Sequence, residues 1–299
     1  MRWEDERRSD NVEDRRGERA GLGKIAAAPV LLRFLPAMIR SKTGRTILIV
    51  GVLLIVGGRI LGIDIGSMFF GGGGVAGGSS QEFSQQEQEL ADFVSVVLAD
   101  TEDVWHKVFQ QQGARYREPT LVLFTGSVNS ACGMASAAVG PFYCPGDQKL
   151  YIDLSFFGEL KARAGARSDF DFAQAYVVAH EIGHHVQTLS GISQQVQKLG
   201  QGRSKAEVNA LSVRQELQAD CLAGVWASHT GIPLERGDLV EGMQAAASIG
   251  DDTLQRDAGR RVRPESFTHG TSEQRVAWLR RGLESGDMAA CDTFSAARL

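Results

Sequence analysis

The sequence predicts an α+β fold that follows a single N-terminal transmembrane helix, and three observations support this prediction. An apolar run without charges, TILIVGVLLIVGG, occupies residues 46–58. A capped, helix-compatible segment starts at Ser84, and two short runs rich in β-branched and aromatic residues come after it. Two long helix-compatible segments then follow. Because helices and strands are segregated along the chain, α+β is favoured over a repeating βαβ fold.

The apolar run is predicted to anchor the protein in the inner or plasma membrane. With Arg59 close to an interface, the span 46–63 reaches the ~17-residue minimum for a transmembrane helix. Basic residues crowd its N-terminal side, which predicts a cytoplasmic segment at 1–45 and a following domain that is periplasmic or extracellular. Residues 64–83 are Gly-rich and are predicted to be a flexible linker to a domain at 84–299. A buried core helix and a cleaved signal peptide are the alternatives.

Composition and charge narrow the possible partners. The chain has 299 residues, of which 43% are hydrophobic, enough for a substantial core. The formal net charge is −4, and the pI is about 5.9. Residues 1–45 carry eleven Lys and Arg against seven Asp and Glu, so the rest of the chain is acidic. This balance gives no case for a nucleic-acid partner.

The predicted strands lie at 119–126, PTLVLFTG, and at 149–157, KLYIDLSFF. We hypothesise that the second is an edge strand that pairs with an extended substrate. The next helix is predicted over 170–189, with Ser168 as a cap and Gly191 just beyond its C-terminus.

This helix contains HEIGH, residues 180–184. His180 and His184 lie about 40° apart around a helix, so their rings can converge on one ion, and Glu181 flanks them. Two neutral histidines bind Zn²⁺, while the glutamate holds the metal-bound water and takes its proton. Two core histidines beside a glutamate are the alternative interpretation.

A catalytic zinc site needs a third protein ligand. The extended form H-E-x-x-H-x-x-G-x-x-H is excluded, because the chain has Gln187 and Ser190 where glycine and histidine are required. A later helix-compatible segment, capped by Ser204, offers Glu216 as the third ligand. Glu207 is a weaker candidate, since it falls on roughly the opposite face and completes the capping box.

Asp220 lies four residues after Glu216, on the same helical face. A ligating histidine usually donates its other N–H to a carboxylate. We therefore assign Asp220 to His180, as a partner that orients the ring. A solvated helix face is the alternative interpretation of Glu216 and Asp220.

Several motifs together resemble a known family. HEIGHHVQ and QELQADCLAG are accompanied upstream by GPFYCPGDQKLYIDLSFF and downstream by SIGDDTLQ and THGTSEQR. The chain resembles the neutral zinc metallopeptidases of membrane-anchored bacterial proteins, the YpfJ-like group, over nearly its whole length. The resemblance implies a zincin fold of gluzincin type, with His180, His184 and Glu216 as zinc ligands and Glu181 as catalytic base.

Four cysteines lie after the predicted anchor, where disulfides are expected to form. Cys132 and Cys144 are twelve residues apart and are expected to pair. For Cys221 and Cys291, pairing and burial as free thiols are equally compatible with the sequence. A cysteine zinc site is disfavoured, because no C-x₂₋₄-C spacing occurs.

His269 precedes a helix that is capped by Thr271 and Gln274. We hypothesise that His269 donates to the oxyanion of the reaction or orients the substrate. A loop histidine without a catalytic role is the alternative. His185, His106 and His229 are expected to be structural.

The sequence thus predicts a membrane-anchored, zinc-dependent endopeptidase that acts on a peptide or protein of the cell envelope. In this mechanism a zinc-activated water attacks the peptide bond, with Glu181 as general base. A zinc-binding envelope scaffold without proteolytic activity and a structural protein without metal remain the alternatives.

Overall fold

Helices dominate the computed structural model, which describes residues 1–18, 83–166 and 170–299. The helices of this part are α1 (Gln85–Gln111), α2 (Ser155–Arg163), α3 (Asp171–Leu189), α4 (Ile192–Gly200), α5 (Lys205–His229), α6 (Asp238–Ser248), α7 (Asp251–Asp257) and α8 (Ser272–Ser285). The strands are β1 (Val12–Asp14), β2 (Thr120–Phe124), β3 (Ser127–Ser130), β4 (Gly133–Ser136), β5 (Phe142–Cys144) and β6 (Lys149–Asp153).

The predicted α+β class is therefore wrong, since the described part is mostly helical with a small sheet. Its main sheet has the order β1-β2-β6-β5, while β3 and β4 form a separate hairpin. Each predicted strand is shorter than expected. In the second, Asp153 Oδ1 accepts hydrogen bonds from the backbone N–H and the hydroxyl of Ser155, at 3.0 and 2.7 Å. This local turn ends β6, and SFF begins α2 instead of extending the strand.

The sheet also corrects the choice of edge strand. β6 lies between β2, to which it is parallel, and β5, to which it is antiparallel. Leu150 pairs with Leu121 on one side and with Tyr143 on the other. Because both sides of β6 are occupied, it cannot pair with a substrate. The strand at this edge of the sheet is β5.

The N-terminal segment is part of the same compact unit as residues 83–299. Strand β1 pairs in parallel with β2, with Val12 opposite Leu121. The buried carboxylate of Glu102 on α1 accepts hydrogen bonds from the Ser9 hydroxyl at 2.5 Å and from the Asn11 amide at 2.9 Å. These contacts are made by residues that the sequence assigned to a cytoplasmic segment.

The predicted single-pass localisation is wrong for two reasons. Strand β1 pairs with β2 in one sheet, which a chain that crossed the bilayer once between them could not do, so 1–18 and 83–299 share one compartment. Moreover, no helix of the described residues has the length and apolar character needed to cross a bilayer. The predicted anchor at 46–63 and the linker up to residue 82 lie outside the described residues.

Helix α5 makes two close contacts, one with α3 and one with α8, at glycine residues. A Cβ atom on Gly183 of α3 would lie 2.9 Å from the carbonyl oxygen of Ala219 on α5. A Cβ atom on Gly282 of α8 would lie 1.8 Å from the carbonyl oxygen of Cys221. Interiors tolerate no such overlap, so only glycine permits this approach. Helices α3 and α8 are thereby brought against opposite sides of the α5 segment that carries Asp220.

The capping predictions are confirmed at Ser84, Ser204 and Thr271, where each side chain and the residue three positions later form reciprocal hydrogen bonds. The cap predicted at Ser168 lies outside the described residues. Helix α3 begins at Asp171 and has no side-chain hydrogen bond from its N-cap.

The expected disulfide between Cys132 and Cys144 is present. It joins the turn of the β3–β4 hairpin to the end of β5. Cys221 and Cys291 form a second disulfide, which decides the alternative that the sequence left open. This bond joins α5 to the short helical turn Met288–Cys291 that follows α8.

Candidate metal centre

The three predicted ligands lie together. One nitrogen from each of His180 and His184 and one oxygen from Glu216 fall within 4.8 Å of one another. Nε2 of His180 lies 3.2 Å from Glu216 Oε2, and Nε2 of His184 lies 3.5 Å from Glu216 Oε1. Helix α3 supplies both histidines one turn apart, and α5 supplies the carboxylate where the two helices cross.

This donor set fits a divalent metal ion such as zinc. Catalytic zinc sites use three nitrogen and oxygen ligands and keep an open position, whereas Ca²⁺ and Mg²⁺ prefer oxygen ligands throughout. His180, His184 and Glu216 all line one cavity of about 500 Å³, which provides space on the fourth side. Among the described residues, no other group of histidine, cysteine and carboxylate ligands converges in this way.

The protonation of the donors couples metal binding to proton release. Burial lowers the pKa of His180, but the carboxylates of Asp220 and Glu216 raise it more, to about 10. Burial alone would raise the pKa of Glu216, but the two imidazoles hold it well below its usual range. A cation that binds here takes the place of a proton on the imidazole, so binding should release that proton.

Glu181 is buried and lines the same cavity. Burial raises the pKa of Glu181, and the imidazoles of His184 and His180 offset part of that effect. A carboxyl group with a raised pKa is suited to accept and return a proton near neutral pH.

The predicted contact between Asp220 and His180 is present. Oδ1 of the fully buried Asp220 lies 2.8 Å from His180 Nδ1. In this contact the proton of the neutral imidazole lies on Nδ1, so the lone pair of Nε2, the nitrogen beside Glu216, is available to bind a metal ion.

Sequence reasoning missed two further partners of Asp220. The Tyr176 hydroxyl donates to Oδ1 at 2.5 Å, and Arg275 donates to both carboxylate oxygens at 2.9 Å. Tyr176 stands four residues before His180 on the same helix, so its spacing could have suggested it. Arg275 lies in THGTSEQR, but nothing local indicated its partner.

A third missed residue is Gln187. Its Oε1 lies 2.9 Å from His184 Nδ1, and its amide donates to the carbonyl oxygen of Gln215 at 2.7 Å. The side chain is buried. Its position three residues after His184 places it on the same face of α3, which is the signal that could have found it.

His269 lines the cavity as well. Its loop is held by Asp251, whose Oδ2 accepts three consecutive backbone N–H groups, from Thr268 at 2.7 Å, His269 at 2.6 Å and Gly270 at 3.1 Å. Asp251 Oδ1 lies 3.4 Å from His269 Nδ1. The hydrogen bond that His269 donates to Asp251 raises the pKa of His269 despite its partial burial.

The remaining histidines have structural partners outside the donor set. His185 is fully buried and contacts the Tyr143 hydroxyl at 3.0 Å and the Arg117 carbonyl oxygen at 2.6 Å. His106 pairs with Glu118, and His229 contacts the carbonyl oxygen of Gly286.

Comparison with known proteins identifies the family of the chain. A family model described as "Putative neutral zinc metallopeptidase" matches residues 1–294. The chain belongs to this family. The resemblance drawn from the motifs is thereby confirmed, and membership of this family points to zinc metallopeptidase chemistry.

Similar proteins occur in Escherichia coli and Mycobacterium tuberculosis. "Uncharacterized protein YpfJ" of Escherichia coli (strain K12) is 46% identical over 301 residues, which cover 98% of this chain and 99% of that protein. "Uncharacterized protein Rv2575" of Mycobacterium tuberculosis (strain ATCC 25618 / H37Rv) is 45% identical over 196 residues, 62% of this chain and 65% of that protein. No solved structure matches the chain.

Proposed function

We propose that this protein is a zinc-dependent endopeptidase of gluzincin type. The observation that carries the proposal is the convergence of His180, His184 and Glu216 in one cavity with the buried carboxylate of Glu181. Glu216 comes from a separate helix, which is the ligand arrangement that distinguishes this type from zincins with a third histidine.

In this proposal His180, His184 and Glu216 hold the zinc ion. When bound, the ion supplies Lewis acidity, which lowers the pKa of a water molecule and polarises the peptide carbonyl group. Asp220 keeps the His180 ring in the tautomer that presents Nε2. Gln187 plays the corresponding part for His184, because its Oε1 accepts from Nδ1.

Glu181 moves the proton. As the water oxygen bonds to the carbonyl carbon, Glu181 takes one proton from the water. When the C–N bond breaks, Glu181 returns that proton to the leaving nitrogen. The burial that raises the pKa of Glu181 supports both steps, since the protonated carboxyl group is then less costly to form.

His269 stabilises the oxyanion or orients the substrate. Its Nδ1 is engaged by the Thr268 hydroxyl at 3.0 Å and by Asp251, which leaves Nε2 for a substrate oxygen. The three backbone hydrogen bonds to Asp251 fix the loop. A donor that is held in place before the reaction is more effective than a mobile one, because no ordering is needed at the transition state.

The substrate in this proposal is an extended peptide that pairs with β5. This strand is at the sheet edge beside the cavity, and its Phe142 and Tyr143 line the cavity wall together with Pro141 and Pro145. Extended peptides add to sheet edges through backbone hydrogen bonds. The disulfide at Cys144 holds the end of this edge in place.

Zinc analysis combined with hydrolysis of unfolded casein tests the proposal. Wild-type protein should hold one zinc ion per chain and cleave casein. Glu181→Gln should keep the zinc and lose at least ~10²-fold in rate, because only the proton transfer is removed. Glu216→Ala should lose both zinc and activity, because a ligand is removed.

Glu207→Gln is the matched control. Glu207 is an exposed carboxylate at the start of the helix that carries Glu216, and glutamine preserves its capping box. This variant should match wild type in both assays. Unchanged zinc content in Glu216→Ala would refute the ligand assignment, and zinc binding without any casein cleavage would favour a zinc-binding scaffold.

A further inference from the structure

Arg275 lies at the centre of a buried polar cluster behind the donor set. Its Nε donates to Asp220 Oδ2 at 2.9 Å, and its Nη2 donates to Asp220 Oδ1 at 2.9 Å. Nη2 also donates to the Tyr176 hydroxyl at 3.1 Å and lies 3.4 Å from His180 Nδ1. The guanidinium side chain is only 3% exposed, so these contacts are shielded from water.

Hydrogen bonds reach both carboxylate oxygens of Asp220. His180, Tyr176 and Arg275 Nη2 contact Oδ1, and Arg275 Nε contacts Oδ2. The carboxylate is therefore held in one orientation, and Arg275 supplies the bond to Oδ2, the oxygen that neither His180 nor Tyr176 contacts.

Arg275 is also the charged partner of Asp220. Asp220 is fully buried, and among the described residues Arg275 is the Lys or Arg side chain that contacts it. Once a metal ion has displaced the proton from the His180 imidazole, the other hydrogen-bond partners of Asp220, His180 and Tyr176, are neutral. Without Arg275, Asp220 would then be a buried charge with only neutral partners.

The contacts of helix α8 with α5 hold Arg275 beside Asp220. The helix crosses α5 at Gly282, whose hydrogen lies where a Cβ atom would meet the Cys221 carbonyl oxygen. The Cys221–Cys291 disulfide joins the segment after α8 to the residue next to Asp220. The capping box at Thr271 begins the helix one turn before Arg275.

We propose that Arg275 is a positioning residue of the metal centre, which locks Asp220 so that His180 presents Nε2 to the ion. This inference rests on the proposed function in assigning the ion to His180, His184 and Glu216. Loss of a partner in the outer shell of a zinc site typically lowers metal affinity by about 10–100-fold. Arg275→Met should weaken zinc binding by that factor.

A double-mutant cycle tests whether Arg275 acts through Asp220. Zinc affinity is measured by competition with a chromophoric chelator for wild type, Arg275→Met, Asp220→Asn and the double variant. If the two residues act as one unit, the double variant should bind zinc within roughly threefold of Asp220→Asn alone. Additive losses, or tighter binding in Arg275→Met as simple charge removal would give, would overturn the proposal.

Two further variants separate positioning from folding. Arg275→Lys keeps the charge but lacks the planar fork, so its zinc affinity should lie between those of wild type and Arg275→Met. Arg280→Met removes an exposed arginine of the same helix and should leave zinc affinity unchanged. Wild-type affinity in Arg275→Lys would contradict the proposal. Thermal unfolding of each zinc-free variant shows whether it is folded. The double variant buries no unpaired charge, so its zinc affinity can still be compared with that of Asp220→Asn if Arg275→Met is not folded.

The outcomes distinguish this inference from the proposed function. Zinc binding without casein cleavage would refute the peptidase function alone, and the cycle would still decide the role of Arg275. Absence of zinc binding in wild type would overturn both. If wild type cleaves casein and Arg275→Met binds zinc as tightly as wild type, this inference alone would be overturned.

Discussion

Replacing Cys221 and Cys291 together by alanine should destabilise the protein more than the same replacement of Cys132 and Cys144. The first disulfide closes a loop of 70 residues and the second a loop of 12. A cross-link restricts the unfolded chain by an entropy that grows with the logarithm of loop length, which gives about 4.4 kcal/mol for the longer loop and about 2.8 kcal/mol for the shorter one. Loop length alone therefore accounts for a difference of about 1.6 kcal/mol.

Burial should widen this difference. Cys221 and Cys291 are 0% and 1% exposed, whereas in the other pair Cys144 is buried and Cys132 is exposed. Removal of the two buried sulfur atoms leaves a small cavity beside α5, which adds about 1 kcal/mol. The loss at the Cys221–Cys291 pair is thus about half of the free energy of unfolding of a typical domain.

Equilibrium unfolding in urea measures both losses. Wild type and the two paired alanine variants are compared in excess chelator, so that zinc binding does not contribute to the free energy of unfolding. Intrinsic tryptophan fluorescence and circular dichroism should give coincident transitions for each protein. Equal losses, or a larger loss at the Cys132–Cys144 pair, would refute the loop-length reasoning.

The remaining predictions concern single residues. His269→Ala should keep its zinc and lose ~10²–10³-fold in kcat towards casein, whereas His106→Ala should lose little; wild-type turnover in His269→Ala would return this residue to a structural role. Gly282→Ala should lower the free energy of unfolding by at least about 3 kcal/mol, because a Cβ atom there would lie 1.8 Å from a backbone oxygen. Gly158 is exposed, and a Cβ atom there would meet no atom within 4 Å, so Gly158→Ala should be neutral or slightly stabilising in the same urea titration. Burial lowers the pKa of His185 to about 4. Below pH ~6.5 the imidazole of the unfolded chain therefore binds a proton that the folded protein does not bind, and roughly 3 kcal/mol of stability should be lost between pH ~6.5 and pH ~4. His185→Gln should flatten that part of the pH profile of unfolding, and an unchanged slope would show that other groups are responsible.

Features that depend on residues close in sequence were predictable. The spacing of His180 and His184 on one helical face follows from helix geometry alone. The same holds for Glu216 and Asp220, and for the capping box at Ser204. In each case the interacting residues are three or four positions apart, so their relative placement needs no knowledge of the tertiary structure.

Features that depend on distant residues were not predictable in this way. Arg275 is 55 residues from Asp220, and its contact exists only because α8 meets α5 at a glycine. Strand β1 is three residues long and gains stability only by pairing with β2, more than a hundred residues later. A strand of that length carries too little periodicity to be recognised in a sequence.

The error in localisation has the same origin. Hydropathy and flanking charge are local properties, and they favoured a membrane anchor whose N-terminal side faces the cytoplasm. The pairing of Val12 with Leu121 is a non-local property that contradicts this topology. Local evidence cannot reveal such a contact, because neither strand indicates its partner.

The position of Arg16 has a practical consequence for engineering the protein. Its guanidinium group lies 4.0 Å from the centre of the Phe83 ring and donates to the carbonyl oxygen of Glu87 at 2.9 Å. The polypeptide therefore leaves and rejoins the domain at neighbouring points, although residues 19–82 separate them in sequence. A connection of about eight residues could replace that stretch, and closing so short a loop would cost about 1.8 kcal/mol less than closing one of 64 residues. The domain is thus assembled from two pieces that are discontinuous in sequence, and we expect it to fold when a short connection replaces the stretch between them.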